Sequence, residues 1–141
     1  MNRTVVLAYD GSESARPALQ RVVAMSPDKV SITVVCAIET LIRSRVPHGP
    51  VVDPIVEHER HNALDQAREE LERHDHHPSL LEAIGDLATC VIEAAQRIHA
   101  DLVVIGSRHR NLAERMLTGS VSTRLAHECP CDLLIAREPT A

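Results

Sequence analysis

The chain has 141 residues, with 15 basic against 20 acidic side chains and a formal charge of −5. That length accommodates one compact domain over residues 1–141. A composition of 44% hydrophobic and 25% charged residues excludes disordered, collagen-like and membrane-spanning classes.

No run approaches the ~18 apolar residues that a spanning helix needs. Met1-Asn2-Arg3-Thr4 leads into an apolar run too short for a secretory leader, so a cytoplasmic address is expected and no membrane partner. Tyr9 is the sole aromatic residue, which leaves the core to Val, Leu, Ile, Ala and Met and supplies no stacking platform for single-stranded nucleic acid. The acidic balance likewise opposes a phosphate-backbone contact surface, and no nucleic-acid partner is expected.

In chain order, Val5 to Tyr9 reads as the first strand and Asp10-Gly11-Ser12-Glu13 as a loop. Ser14 then caps a helix marked by Ala15, Leu19 and Val22, which keeps Pro17 within the first turn, where a missing N–H is tolerated. Ile32 to Ile38 is the second strand. Arg43 to Pro54, with Pro47, Gly49 and Pro50, is the longest irregular connection and the natural place for a lid. Asp53-Pro54 caps a second helix whose apolar positions are Val56, Ala63, Ala67 and Leu71.

Ser79 to Ile84 is the third strand, and Glu82 in its middle places it at a sheet edge, where a charged side chain reaches water. Asp86 caps a third helix with Leu87, Val91, Ala94 and Ile98 inward. Leu102 to Ile105, a helix from Leu117 to Ala126, and Leu133 to Ala136 complete the alternation. Near-continuous apolar strands alternating with helices predict an α/β fold: a parallel sheet with helices on both faces.

One constellation could hold a ligand. Leu102-Val103-Val104-Ile105-Gly106-Ser107-Arg108-His109 is followed, nine residues on, by Gly119-Ser120-Val121-Ser122. A strand, a glycine turn and a second glycine at a helix start is an arrangement that aims backbone N–H groups at an anion. From Ser107 to Arg124 the charges are Arg108, Arg110, Arg115 and Arg124 against Glu114 alone, a local positive excess in an acidic chain. The plainer alternative is that both glycines only shape turns and the arginines are a solvated face.

These residues carry a resemblance. Val5-Val6-Leu7-Ala8-Tyr9-Asp10-Gly11-Ser12-Glu13-Ser14-Ala15, Ala100-Asp101-Leu102-Val103-Val104-Ile105-Gly106-Ser107-Arg108, Gly119-Ser120-Val121-Ser122 and Cys129-Pro130 together resemble a universal stress protein over essentially the whole chain. The resemblance implies a five-stranded parallel sheet of order 3-2-1-4-5, Rossmann-like, and a homodimer joined through the last strand, Leu133 to Ala136. It also implies ATP, with magnesium, on a signature Gly-x2-Gly-x9-Gly-Ser. Gly106 matches the first signature glycine, and Gly119-Ser120 close it with Val121 and Ser122. Between them Ser107, Arg108 and His109 follow Gly106, with His109 where the family has its second glycine. Asp10 matches the acid that meets the nucleoside, and Ala37 the position whose backbone meets adenine. The alternative for Asp10 is a turn residue ahead of the first helix. For the whole chain it is a dimeric stress-response interaction module that no longer binds nucleotide, with His109 as the mark of that loss.

The remaining reactive residues read as structural. Of His48, His58, His61, His74, His76, His77, His99, His109 and His127, His58 and His61 stand three apart on a helix that His74-Asp75-His76-His77 ends, which makes a surface metal site conceivable, but no further carboxylate or cysteine spacing fixes a geometry. The plainer reading is exposed polar residues, some favouring a helix C-terminus. Cys36, Cys90, Cys129 and Cys131 read as reduced thiols, and Cys129-Pro130-Cys131 is a lone C-x-C rather than a paired zinc motif. No nucleophile elbow, P-loop or placed base is present, so no catalytic residue is assigned.

Overall fold

The structure, a computed structural model, describes residues 2–38, 54–107 and 120–137, with side chains described at all of these but 38, 54–57, 59, 60 and 120. Five strands, β1 (Arg3–Ala8), β2 (Val30–Ile38), β3 (Ser79–Ile84), β4 (Leu102–Gly106) and β5 (Asp132–Ala136), form one sheet of order β3-β2-β1-β4-β5. Every neighbouring pair is parallel. Among the described residues the α-helices are α1 (Arg16–Val23), α2 (Pro54–Arg73), α3 (Leu87–Arg97) and α4 (Ser120–Glu128).

Strand alternation divides the core into two layers. Val5, Leu7 and Tyr9 of the β1 segment, Val34 and Cys36 of β2 and Val104 of β4 meet Ala18, Leu19 and Val22 of α1 and Ala63, Ala67 and Leu71 of α2. Val6 and Ala8, Val35, Val103 and Ile105 face the other way, onto Ala88, Val91, Ala94 and Ala95 of α3 and Leu125 of α4. Strands buried on both faces need apolar residues at consecutive positions, which is why β1 and β4 lack polar alternation. With one aromatic in the chain, the helices approach the sheet through alanine, valine and leucine. β3 lies at the edge, where Glu82 pairs with His61 of α2 at 2.6 Å.

The first helix begins differently from the sequence expectation. A short 3-10 turn over Glu13–Ala15 precedes α1, and its cap is Ser12, whose Oγ accepts the Ala15 N–H at 3.3 Å; Ser14 is not the cap. Pro17 stays in the first turn of α1, as its missing donor requires. Asp86 caps α3 as expected, its Oδ2 accepting the Thr89 N–H at 3.0 Å. Pro54 is the first residue of α2; Asp53 and the 43–53 stretch lie outside the described residues. Among the described residues no helix is long and apolar enough to cross a membrane.

Candidate functional site

In open parallel sheets, ligands bind beyond the carboxyl ends of the strands where the winding changes direction. Here that place lies between β1 and β4. Their ladder runs through Val5–Leu102, Val6–Val103 and Leu7–Val104. Beyond it each chain turns to its outer neighbour: the Tyr9 N–H donates to the Val35 carbonyl at 3.0 Å, and the Ser107 N–H to the Ala136 carbonyl at 3.1 Å. This divergence is the crevice, with Asp10 leaving one wall and Ser107 the other.

The loop after β1 is locally self-supporting. Asp10 is exposed, and its Oδ1 accepts the Ser12 N–H at 2.9 Å, the turn role that was the alternative for this residue. Gly11 has φ +82°, and a Cβ there would lie 3.0 Å from Ala63 Cβ, so both the backbone angle and α2 demand glycine. Ser12 and Ser14 join hydroxyls at 3.0 Å. The turn they build sits directly against β4: a Cβ on Gly106 would stand 2.0 Å from the Ser14 carbonyl oxygen and 2.8 Å from Ala15 Cα. Gly106 is therefore required by the fold whatever the crevice holds, a role the sequence reading missed because the contact spans most of the chain.

Ser107 differs from its neighbours. Its Oγ is buried and has no hydrogen-bond partner among the described residues. Such groups are rare enough in folded proteins to need an explanation. Ala37 is half-buried near the carboxyl end of β2, in register with Ala83 of β3. Ser120 opens α4, where Val121 and Ser122 are half-buried, and Val121 packs onto the α3–α4 core layer. Asp10, Ala37, Gly106, Ser107 and Ser120 to Ser122 are among the described residues; Arg108, His109 and Gly119 lie outside them.

Arg124 does not belong to the anion-attracting group in which the sequence placed it. Its guanidinium donates to Asp86 Oδ2 at 2.5 Å, to Thr89 Oγ1 at 2.7 Å and to Glu128 Oε2 at 2.6 Å, tying α4 to the start of α3. The Asp86 carboxyl is held below the usual carboxylate range, first by the Thr89 backbone N–H and then by the Thr89 hydroxyl and Arg124. Arg110, Arg115 and Glu114 are outside the described residues.

A cavity of about 240 Å³ opens elsewhere, between α1 and α2, lined by Tyr9, Arg16, Gln20, Gln66, Glu69 and Arg73 among others. It contains none of the predicted site residues, and two of its charged residues, Arg73 and Glu70, pair at 2.6 Å. Burial pushes the Tyr9 hydroxyl at its floor above the ordinary phenol range.

Residues 1–137 match the model of the universal stress protein family. The chain belongs to the universal stress protein family. It is 27% identical over 162 aligned positions to the stress response protein NhaX of Bacillus subtilis (strain 168), covering 94% of this chain and 96% of that one. Its fold is that of a universal stress protein solved in complex with cAMP, at TM-score 0.72 and 23% identity over 98% of both chains. The universal stress protein of Archaeoglobus fulgidus in complex with dAMP superposes at TM-score 0.72 with 17% identity, over 96% of this chain and 98% of that one.

The reactive residues of this universal stress protein are mostly where the sequence put them, with one correction. His58, His61, His74, His77, His99 and His127 are exposed, and His74 Nδ1 lies 2.9 Å from the Glu70 carbonyl at the end of α2. His76 is 2% exposed, against expectation. Its Nε2 meets the Val23 carbonyl at 3.3 Å, so this histidine pins the end of α2 to the end of α1. Its backbone is placed by the turn that ends α2: the His76 N–H reaches the Leu71 carbonyl around Asp75, whose φ is +67°. Among the described residues no group of three or more potential ligands could hold a metal ion.

Proposed function

We propose that this universal stress protein binds an adenine nucleotide, ATP with magnesium, weakly in the crevice between β1 and β4, and acts in the stress response through protein contacts as a cytoplasmic homodimer. The observation that carries the reading is the Ser107 hydroxyl, buried at the crevice with no partner among the described residues. Leaving such a group unsatisfied costs about 1–3 kcal/mol, and a ligand polar atom is what would satisfy it. The solved universal stress proteins that hold cAMP and dAMP support the choice of an adenine nucleotide.

In this reading Asp10 and the Ala37 backbone serve the nucleoside. Ser107, Arg108, His109, Gly119, Ser120, Val121 and Ser122 serve the phosphates. The nucleotide supplies binding energy and a signal, and no chemical step is assigned to it. Binding is weak because an imidazole at position 109 occupies space that a glycine would leave open. The dimer forms through β5, an edge strand whose Ile135 is 38% exposed and whose outer backbone groups a second copy would pair.

Calorimetric titration of ATP with magnesium tests the site. Saturable one-to-one heat is expected, lost in Gly119→Val, where a branched side chain enters the phosphate region, and strengthened in His109→Gly. His109 also favours a second reading, an interaction module without nucleotide. Absence of heat in both the wild type and His109→Gly would select that module and reject the nucleotide site.

A further inference from the structure

Cys129 and Cys131 flank Pro130 at the joint between α4 and β5, and their sulfurs stand 3.8 Å apart. We propose that these two cysteines form a reversible dithiol–disulfide site, oxidised by thiol exchange with a low-molecular-weight disulfide.

Both ends of the joint are fixed. The Cys129 N–H donates to the Leu125 carbonyl at 2.9 Å, continuing the α4 ladder by one residue. Cys131 precedes Asp132, which is in register with Leu102 of β4. The two thiols are therefore held in contact rather than meeting by chance. A disulfide needs its sulfurs at about 2.05 Å, so the pair must close from 3.8 Å. Both residues are half-buried, so a small disulfide can reach them, and neither is engaged in a disulfide. Cys36, by contrast, is 2% exposed within the core.

The neighbours set the order of events. Burial, the adjacent Cys129 thiol and the Asp132 and Asp101 carboxylates push the Cys131 thiol up to about 12. Cys129 is then the thiol that begins the exchange. Its thiolate attacks one sulfur of the external disulfide, forming a mixed disulfide and releasing one thiolate. Cys131 gives up its proton to water and attacks the Cys129 sulfur, forming the Cys129–Cys131 bond and releasing the second thiolate. Two electrons pass from the protein thiols to the external disulfide, and two small thiols leave. Excess reduced thiol runs the sequence backwards. The chemistry is independent of the crevice and of any nucleotide.

The test uses the full reduced chain in glutathione buffers of rising oxidised share, with acid quenching, alkylation of free thiols and peptide mass spectrometry. The expected product is a peptide that has lost two hydrogens across Cys129 and Cys131, exceeding glutathione adducts at either residue by at least about tenfold, because the second thiol is held beside the first. Cys131→Ser and Cys131→Val are each expected to accumulate the glutathione adduct at Cys129 instead. Reduced glutathione in excess should restore both thiols. The proposal is overturned if both residues stay alkylatable in a buffer that modifies Cys90. It is equally overturned if wild-type Cys129 and Cys131 carry independent adducts at the level of the single variants.

Discussion

Gly106→Ala separates a glycine required by the fold from one required by a phosphate. The added methyl would lie 2.0 Å from the Ser14 carbonyl oxygen and 2.8 Å from Ala15 Cα, both backbone atoms that no rotamer change can move aside. Relief requires the Glu13–Ala15 turn to retreat from β4, and Ala15, Ala18 and Leu19, which are buried behind it, must follow. Overpacking a core costs about 1–3 kcal/mol, and displacement of backbone puts this case at or above ~3 kcal/mol. At roughly 4 °C per kcal/mol for a domain of this size, the melting temperature should fall by about 12 °C. The assay is scanning calorimetry without nucleotide, with urea unfolding as a second measure. Gly11→Ala is the comparator, with a positive φ and an Ala63 contact at 3.0 Å; the strained angle alone costs it about 1–3 kcal/mol. A Gly106→Ala chain that melts with the wild type yet no longer binds nucleotide would refute the reasoning and return Gly106 to the ligand.

Asp86→Ala should cost about 1 kcal/mol at neutral pH by removing the cap of α3. Because the folded carboxyl titrates below its ordinary value of 3.8, the cap's contribution is present above that pH and is lost as pH falls further; melting curves of wild type and variant should therefore converge in acid. His99→Gly should stabilise by about 1 kcal/mol, since His99 ends α3 at φ +53°, an angle that glycine adopts freely, and a lowered melting temperature would show that the ring is needed. Ile135→Arg, on an exposed edge position, should shift light scattering towards the monomer without changing the melt of that monomer, whereas Leu134, which packs on the core, would confound the two effects.

What the sequence made legible followed from short-range rules. Apolar runs bounded by turn residues placed all five strands, and a single charge, Glu82, located an edge. The cap at Asp86 and the place of Pro54 as first residue of α2 were read from helix chemistry within one turn of the chain. The strand order came from the family resemblance, which the topology bears out.

What stayed hidden depends on partners far along the chain. The sequence reading made Gly106 a turn residue with amides free for phosphate, because Ser14, which it touches, is a whole fold away. Arg124 looked like a free cation because Asp86 and Thr89 are brought to it only when α3 and α4 pack side by side. His76 looked exposed in a polar run, yet the turn at Asp75 points it inward to Val23. Ser12 displaced Ser14 as cap because a 3-10 turn, which no apolar period marks, precedes α1. At the site, Asp10 and Ser107 follow β1 and β4, Ala37 lies inside the carboxyl end of β2 rather than after it, and it is the unpartnered hydroxyl of Ser107 among the described residues that sequence could not reveal.

Nucleotide binding at the crevice is measured most directly by calorimetric titration of the purified chain with ATP and magnesium, on protein first cleared of bound adenine. With Tyr9 as the only aromatic residue, the chain's own ultraviolet absorbance is faint, so that clearance is easily verified. The account predicts saturable, one-to-one heat that disappears in Gly119→Val. A flat titration of a folded wild-type chain, with no adenine absorbance in the material before clearance, would contradict it.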